Sequence, residues 1–75
     1  MNAQRRKEIR NLIDQIEELK NAFEEYRDIE QDVLDSIPEN LAGSERYERT
    51  ESTLDALENV IGSLEKAMAN AEDLR

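Results

Sequence analysis

Asp28, Glu30, Asp32 and Glu39 stand at positions 1, 3, 5 and 12 of a calcium-loop count, the spacing at which carboxylates converge on one hard cation. The count fails at its sixth position, where the sharp turn needs Gly and the chain has Val33. The pairs Glu17-Glu18 and Glu24-Glu25 have the residue type for acid/base work, but their spacing places them on solvated helix faces. A carboxylate-bridged di-iron bundle needs Glu-x-x-His, and this chain has neither His nor Cys, which also removes thiol chemistry and His-based proton transfer. Gly43 and Gly62 are isolated, so there is no phosphate-cradling loop, although Gly62 is a place where a second helix is expected to approach closely. No catalytic residue, metal ligand or cofactor-binding residue is predicted, and the chain is not expected to be an enzyme.

Charge is the other chemical resource. The chain has 75 residues, with 19 acidic against 10 basic side chains and a net charge of -9. Arg5, Arg6, Lys7 and Arg10 form a short basic patch, too small against that charge to bind nucleic acid directly, since such affinity comes from neutralising many phosphates. The reverse chemistry is open: Glu51, Glu58, Glu65 and Glu72, spaced by whole heptads, form a carboxylate ladder that imitates phosphates on a rigid rod.

Positioning these groups falls to helices. Ile9, Leu12, Ile16, Leu19, Phe23, Tyr26, Val33 and Ile37 follow alternating steps of three and four, with Glu30 in the one polar place. Tyr47, Thr50, Leu54, Leu57, Ile61, Leu64, Met68 and Ala71 repeat the pattern. Disorder is the competing reading for so acidic a chain, and sustained heptads argue against it. Pro38 forbids a continuous helix. The prediction is an all-α, antiparallel two-helix coiled-coil hairpin forming a single domain over 1–75, with helix 1 at about 3–35, a loop at about 36–43 and helix 2 at about 44–73. Asn2 and Ser44 are expected N-caps, and Ser36 with Glu39 has capping-box spacing for a short turn in the connection.

Folding the two series back on each other pairs Ile9 with Ala71, Leu12 with Met68, Ile16 with Leu64, Leu19 with Ile61, Phe23 with Leu57, Tyr26 with Leu54, Glu30 with Thr50 and Val33 with Tyr47, at one constant total of residue numbers. Arg27, Arg46 or Arg49 is expected to reach Glu30, and Arg5, Arg6 and Lys7 to be attracted to Glu72 and Asp73 at the open end.

One hairpin leaves apolar side chains over. Ile13, Ile29, Leu34, Val60 and Leu74 flank the seam and predict a homodimer that closes into a four-helix bundle, the alternative being a monomer with a groove for another protein's helix. No stretch reaches the ~20 apolar residues that span a bilayer. The charged residues after Arg5-Arg6-Lys7 leave no signal-peptide core, so the expected location is the cytoplasm of a bacterial host cell, with no membrane partner.

The segments Asp35-Ser36-Ile37-Pro38-Glu39-Asn40-Leu41 and Ser44-Glu45-Arg46-Tyr47-Glu48, with the opening Met1-Asn2-Ala3-Gln4-Arg5-Arg6-Lys7-Glu8, resemble a group of small acidic phage and prophage proteins. The resemblance implies a phage setting and no particular activity. Within it, the expected function is a non-enzymatic protein-interaction module that binds a host or phage protein, with Glu39, Asn40, Arg46 and Tyr47 at the hairpin tip as candidate contact residues. In a competing reading, Ile37 and Leu41 simply plug the end of the bundle. The alternative function is nucleic-acid mimicry by the ladder, inhibiting a DNA- or RNA-binding host defence protein.

Overall fold

The computed structural model describes residues 2–75; Met1, part of the opening segment quoted above, lies outside the described residues. Helix α1 spans Ala3–Asp35 and helix α2 spans Glu45–Ala71, joined through a short 3-10 turn at Glu39–Leu41 and followed by another at Glu72–Leu74. The helices pack against each other as an antiparallel hairpin, a rod of 60 × 15 × 13 Å. Its radius of gyration is 17.4 Å, against about 11 Å for a compact chain of this length.

Local sequence chemistry sets the helix boundaries. Asn2 Oδ1 accepts from the Arg5 N–H at 2.8 Å and Ser44 Oγ from the Tyr47 N–H at 3.2 Å, each satisfying one of the free donors at a helix start. Glu45 and Glu48 lie in the first turn of α2, where the helix dipole favours negative charge. At the far end of α1 the expected capping box is not formed. Ser36 turns backwards and donates its hydroxyl to the Asp32 carbonyl at 2.7 Å, closing α1, while the turn at Glu39 has no side-chain cap. A serine hydroxyl at a helix end readily bonds back to the carbonyl four residues earlier, here one that also accepts the Ser36 N–H at 3.1 Å.

The seam differs from the sequence expectation on one helix. On α2, Thr50, Leu54, Ile61 and Ala71 are buried and Tyr47, Leu57, Leu64 and Met68 half-buried, which is the anticipated stripe. On α1, Leu12, Leu19 and Tyr26 are 57, 53 and 62% exposed and form no seam layers. Their places are taken by Ile13, Lys20 and Arg27, one residue later, which alternate with Ile9, Ile16, Phe23 and Glu30, and beyond them Val33 and Leu34 are both half-buried. Helix α1 is therefore rotated by about 50°, half of one residue's ~100° step. Ile13, expected to need a second hairpin, is 2% exposed within this one. Leu34 is half-buried beside the same seam, so Ile13 no longer calls for a second hairpin and Leu34 does so only in part.

The rotation brings two cations to the seam edge. Lys20 and Arg27 lay their aliphatic stems along the seam and carry their charged ends to its edge. There Arg27 Nε lies 3.8 Å from Glu58 of α2, with Glu24 and Asp28 of its own helix also within reach. The Lys20 ammonium donates to Glu24 Oε1 at 3.0 Å, and the Glu65 charge of α2 acts on it too.

Candidate interaction surfaces

The rod presents four chemically distinct surfaces. Its tip is built by consecutive turns: Leu41 N–H donates to the Pro38 carbonyl at 2.8 Å, Ala42 to Glu39 at 3.1 Å and Ser44 to Leu41 at 2.9 Å. The chain reverses without any positive-φ residue, so Gly43 serves no left-handed turn. Glu39, Asn40 and Arg46 are exposed at this end, whereas Tyr47 is half-buried as the first seam residue of α2. Leu41 is 48% exposed and does not plug the bundle; of the two expected plug residues, only Ile37 turns inward.

The second surface is the flank carrying the ladder, where two of the four carboxylates are partly neutralised. Glu58 is paired with Arg27, and Glu72 lies 3.4 Å from Arg75. Glu65 is close enough to help hold the Lys20 ammonium above the ordinary lysine pKa, an effect led by the hydrogen bond to Glu24. Toward the tip this flank opens into a shallow groove of about 280 Å³, floored by Leu34 and Leu54 and rimmed by Gln31, Glu51, Asp55 and Glu58. No three carboxylates among the described residues converge on a point where an ion would sit, and Asp28, Glu30 and Asp32 lie inside continuous helix rather than in a loop.

The third surface is the back of α1. Asp14, Glu18, Glu25, Asp28, Asp32 and Asp35 follow one another along it at helical spacing, all exposed, and among the described residues only Asp28 has a cation within 4 Å, Arg27 at 3.2 Å. This is a denser acidic surface than the ladder. Sequence reasoning passed over it because its charges are scattered through pairs and singles until the helix is drawn.

The fourth surface lies opposite the ladder. Arg27 and Glu58 define one edge of the seam, so residues two further along each helix, Ile29 and Val60, point to the other edge, about 200° around. Leu12, Leu19, Ala22, Tyr26 and Ile29 run along α1 on that side, all exposed. Beside them on α2 run Thr53, Ala56, Val60, Ser63, Ala67 and Asn70, none charged and most of them small. Of the residues expected at a dimer contact, Ile29, Val60 and Leu74 are exposed, at 53, 37 and 44%. Leu12, Leu19 and Tyr26, expected in the seam, join them on this face, while Ile13 is buried and Leu34 half-buried toward the other edge.

Other sequence expectations were not met. Among the described residues no cation lies within 4 Å of Glu30, and none of Arg5, Arg6 and Lys7 pairs with Glu72 or Asp73. Arg49 instead pairs with Glu45 one turn back, and Thr50, opposite Glu30 in the anticipated register, donates its hydroxyl to the Arg46 carbonyl at 2.9 Å. Nothing lies within 4 Å of the point where a Cβ on Gly62 would sit, so the hairpin makes no close approach there. No helix among the described residues is long and apolar enough to cross a membrane.

No protein-family model matches the chain, and neither a curated protein nor a solved structure shows significant similarity to it.

Proposed function

We propose that this chain is a non-enzymatic protein-interaction module, phage- or prophage-encoded and acting in the bacterial cytoplasm as a homodimer, which binds a host or phage protein through the tip of its hairpin. One observation carries the reading: Leu41 stands 48% exposed on a turn whose successive backbone groups are hydrogen-bonded. A pre-ordered apolar side chain flanked by Glu39, Asn40 and Arg46 binds without a large ordering cost, and that is what favours a recognition site. The test is capture of a partner by the immobilised protein. Leu41→Ala and Arg46→Ala are expected to abolish capture while leaving helix content unchanged, and unchanged capture by both would refute the tip as the contact.

The uncompensated carboxylates on the back of α1 support a second reading, an acidic nucleic-acid mimic that inhibits a DNA- or RNA-binding defence protein. Pairing of Glu58 and Glu72 shifts that role away from the ladder and onto Asp14, Glu18, Glu25 and Asp32. Amide substitution of these residues separates the readings. Under mimicry it restores nucleic-acid binding by the captured partner, and under tip recognition it changes nothing.

A further inference from the structure

The uncharged face opposite the ladder has the form of a surface built for a second copy of this chain. We propose that two hairpins stack through it with the two-fold axis along the rod, so that α1 of each copy lies on α2 of the other and both tips sit at the same end. The inference rests on the interaction-module reading and gives it a scaffold, two tips displayed side by side.

Three observations support this. First, charge: each chain carries -9, and this face alone offers a long contact without burying a carboxylate. A basic partner would prefer the ladder or the back of α1. Second, area: from Leu12 to Val33, which is half-buried one turn beyond Ile29 on the same side of α1, the face runs about 32 Å at ~1.5 Å per residue, and two helices about 10 Å apart make it about 20 Å wide. That is about 650 Å² per copy and about 1,300 Å² in all, within the range of stable interfaces. A single hairpin also exposes 5688 Å², against about 4,700 Å² for a compact monomer of its mass.

Third, shape. The α1 side of the face is large (Leu12, Leu19, Tyr26, Ile29) and the α2 side small (Ala56, Ser63, Ala67). An axis along the rod lays large on small, and because heights along the rod are preserved, Leu19 meets the second copy's Ser63 and Tyr26 its Ala56. Where α1 is small, at Ala22, the second copy presents Val60. An axis across the rod would put α1 on α1 and α2 on α2, holding the small faces apart and leaving voids, which close-packed interiors do not tolerate.

The absence of Cys from the chain makes the test clean. Light scattering at micromolar concentration should give twice 8.7 kDa, and spin labels on Ala42→Cys should lie within ~30 Å of each other across a bundle of ~10 Å helix spacings. Ser63→Glu, exposed on the single hairpin, should weaken dimerisation at least ~100-fold by burying an unpaired charge, with helix content retained. A mass of 8.7 kDa for the unsubstituted chain, label separations near the 60 Å length of the rod, or undiminished dimerisation of Ser63→Glu would each overturn the proposal. Failure here is distinct from failure of the tip: a monomer that still captures its partner sinks only the stacking, and a dimer whose tip substitutions leave capture intact sinks only the tip.

Discussion

Arg27 and Glu58 meet across the hairpin at 3.8 Å, and this contact marks which side of each helix is the edge of the seam and which is left uncovered. The pair is solvent-accessible and shared with Glu24 and Asp28, so it orients more than it stabilises. Glu58→Gln should cost less than about 1 kcal/mol, with the loss shrinking further in high salt. Urea unfolding at two ionic strengths measures this.

Ile13 and Leu12 are neighbours in sequence with opposite environments. Ile13→Ala should lower stability by about 2–4 kcal/mol at every protein concentration, because it leaves a cavity in the seam. The effect of Leu12→Ala should depend on concentration, falling toward zero on dilution as the face it occupies is uncovered. Thermal melts over a dilution series distinguish the two.

How much was legible beforehand follows from these two residues. The caps at Asn2 and Ser44, the break at Pro38 and the α2 stripe are written in local chemistry and were read from it directly. On α1, Ile9, Ile16 and Phe23 belong to two overlapping stripes, one completed by Leu12, Leu19 and Tyr26, the other by Ile13, Lys20, Arg27 and Leu34. Hydrophobicity favours the first. The hairpin uses the second, with Lys20 and Arg27 at the seam edge beside carboxylates of the other helix, and a periodicity count along one helix does not choose between two stripes that share half their residues. The tip was legible as a turn, but the outward aim of Leu41 depends on how the consecutive hydrogen bonds wind the chain.

Ser44→Ala removes the acceptor for the Tyr47 N–H and should cost about 1 kcal/mol, with Ser44→Gly costing less. Chemical denaturation of the two variants side by side provides the comparison.

Glu30 is half-buried without a cation, while Thr50 satisfies its hydroxyl within its own helix. Glu30→Leu should therefore raise stability by about 1 kcal/mol or more through added apolar burial. The accompanying loss is of a polar marker of alignment, visible as broadened side-chain resonances around Phe23 and Leu57.

The Lys20 ammonium is held above its ordinary pKa chiefly by the hydrogen bond to Glu24. Its contribution to stability is fully present below the unfolded-state lysine pKa and is lost as the pH rises through the higher folded value, so the effect is confined to alkaline solution. Stability measured against pH should fall less steeply there in Lys20→Met than in the unsubstituted chain, and equal slopes would contradict the assignment.

The carboxylates along the back of α1 bear on how far assembly can proceed. Stacked as proposed, a pair of hairpins turns its uncharged surface inward and shows neighbours an outer skin in which acidic side chains outnumber basic ones 19 to 10 per chain. Lateral addition of a third rod meets repulsion over most of its length, so growth ends at a closed particle instead of running on into a fibre. That barrier is set by the surrounding electrolyte and weakens as the Debye length contracts.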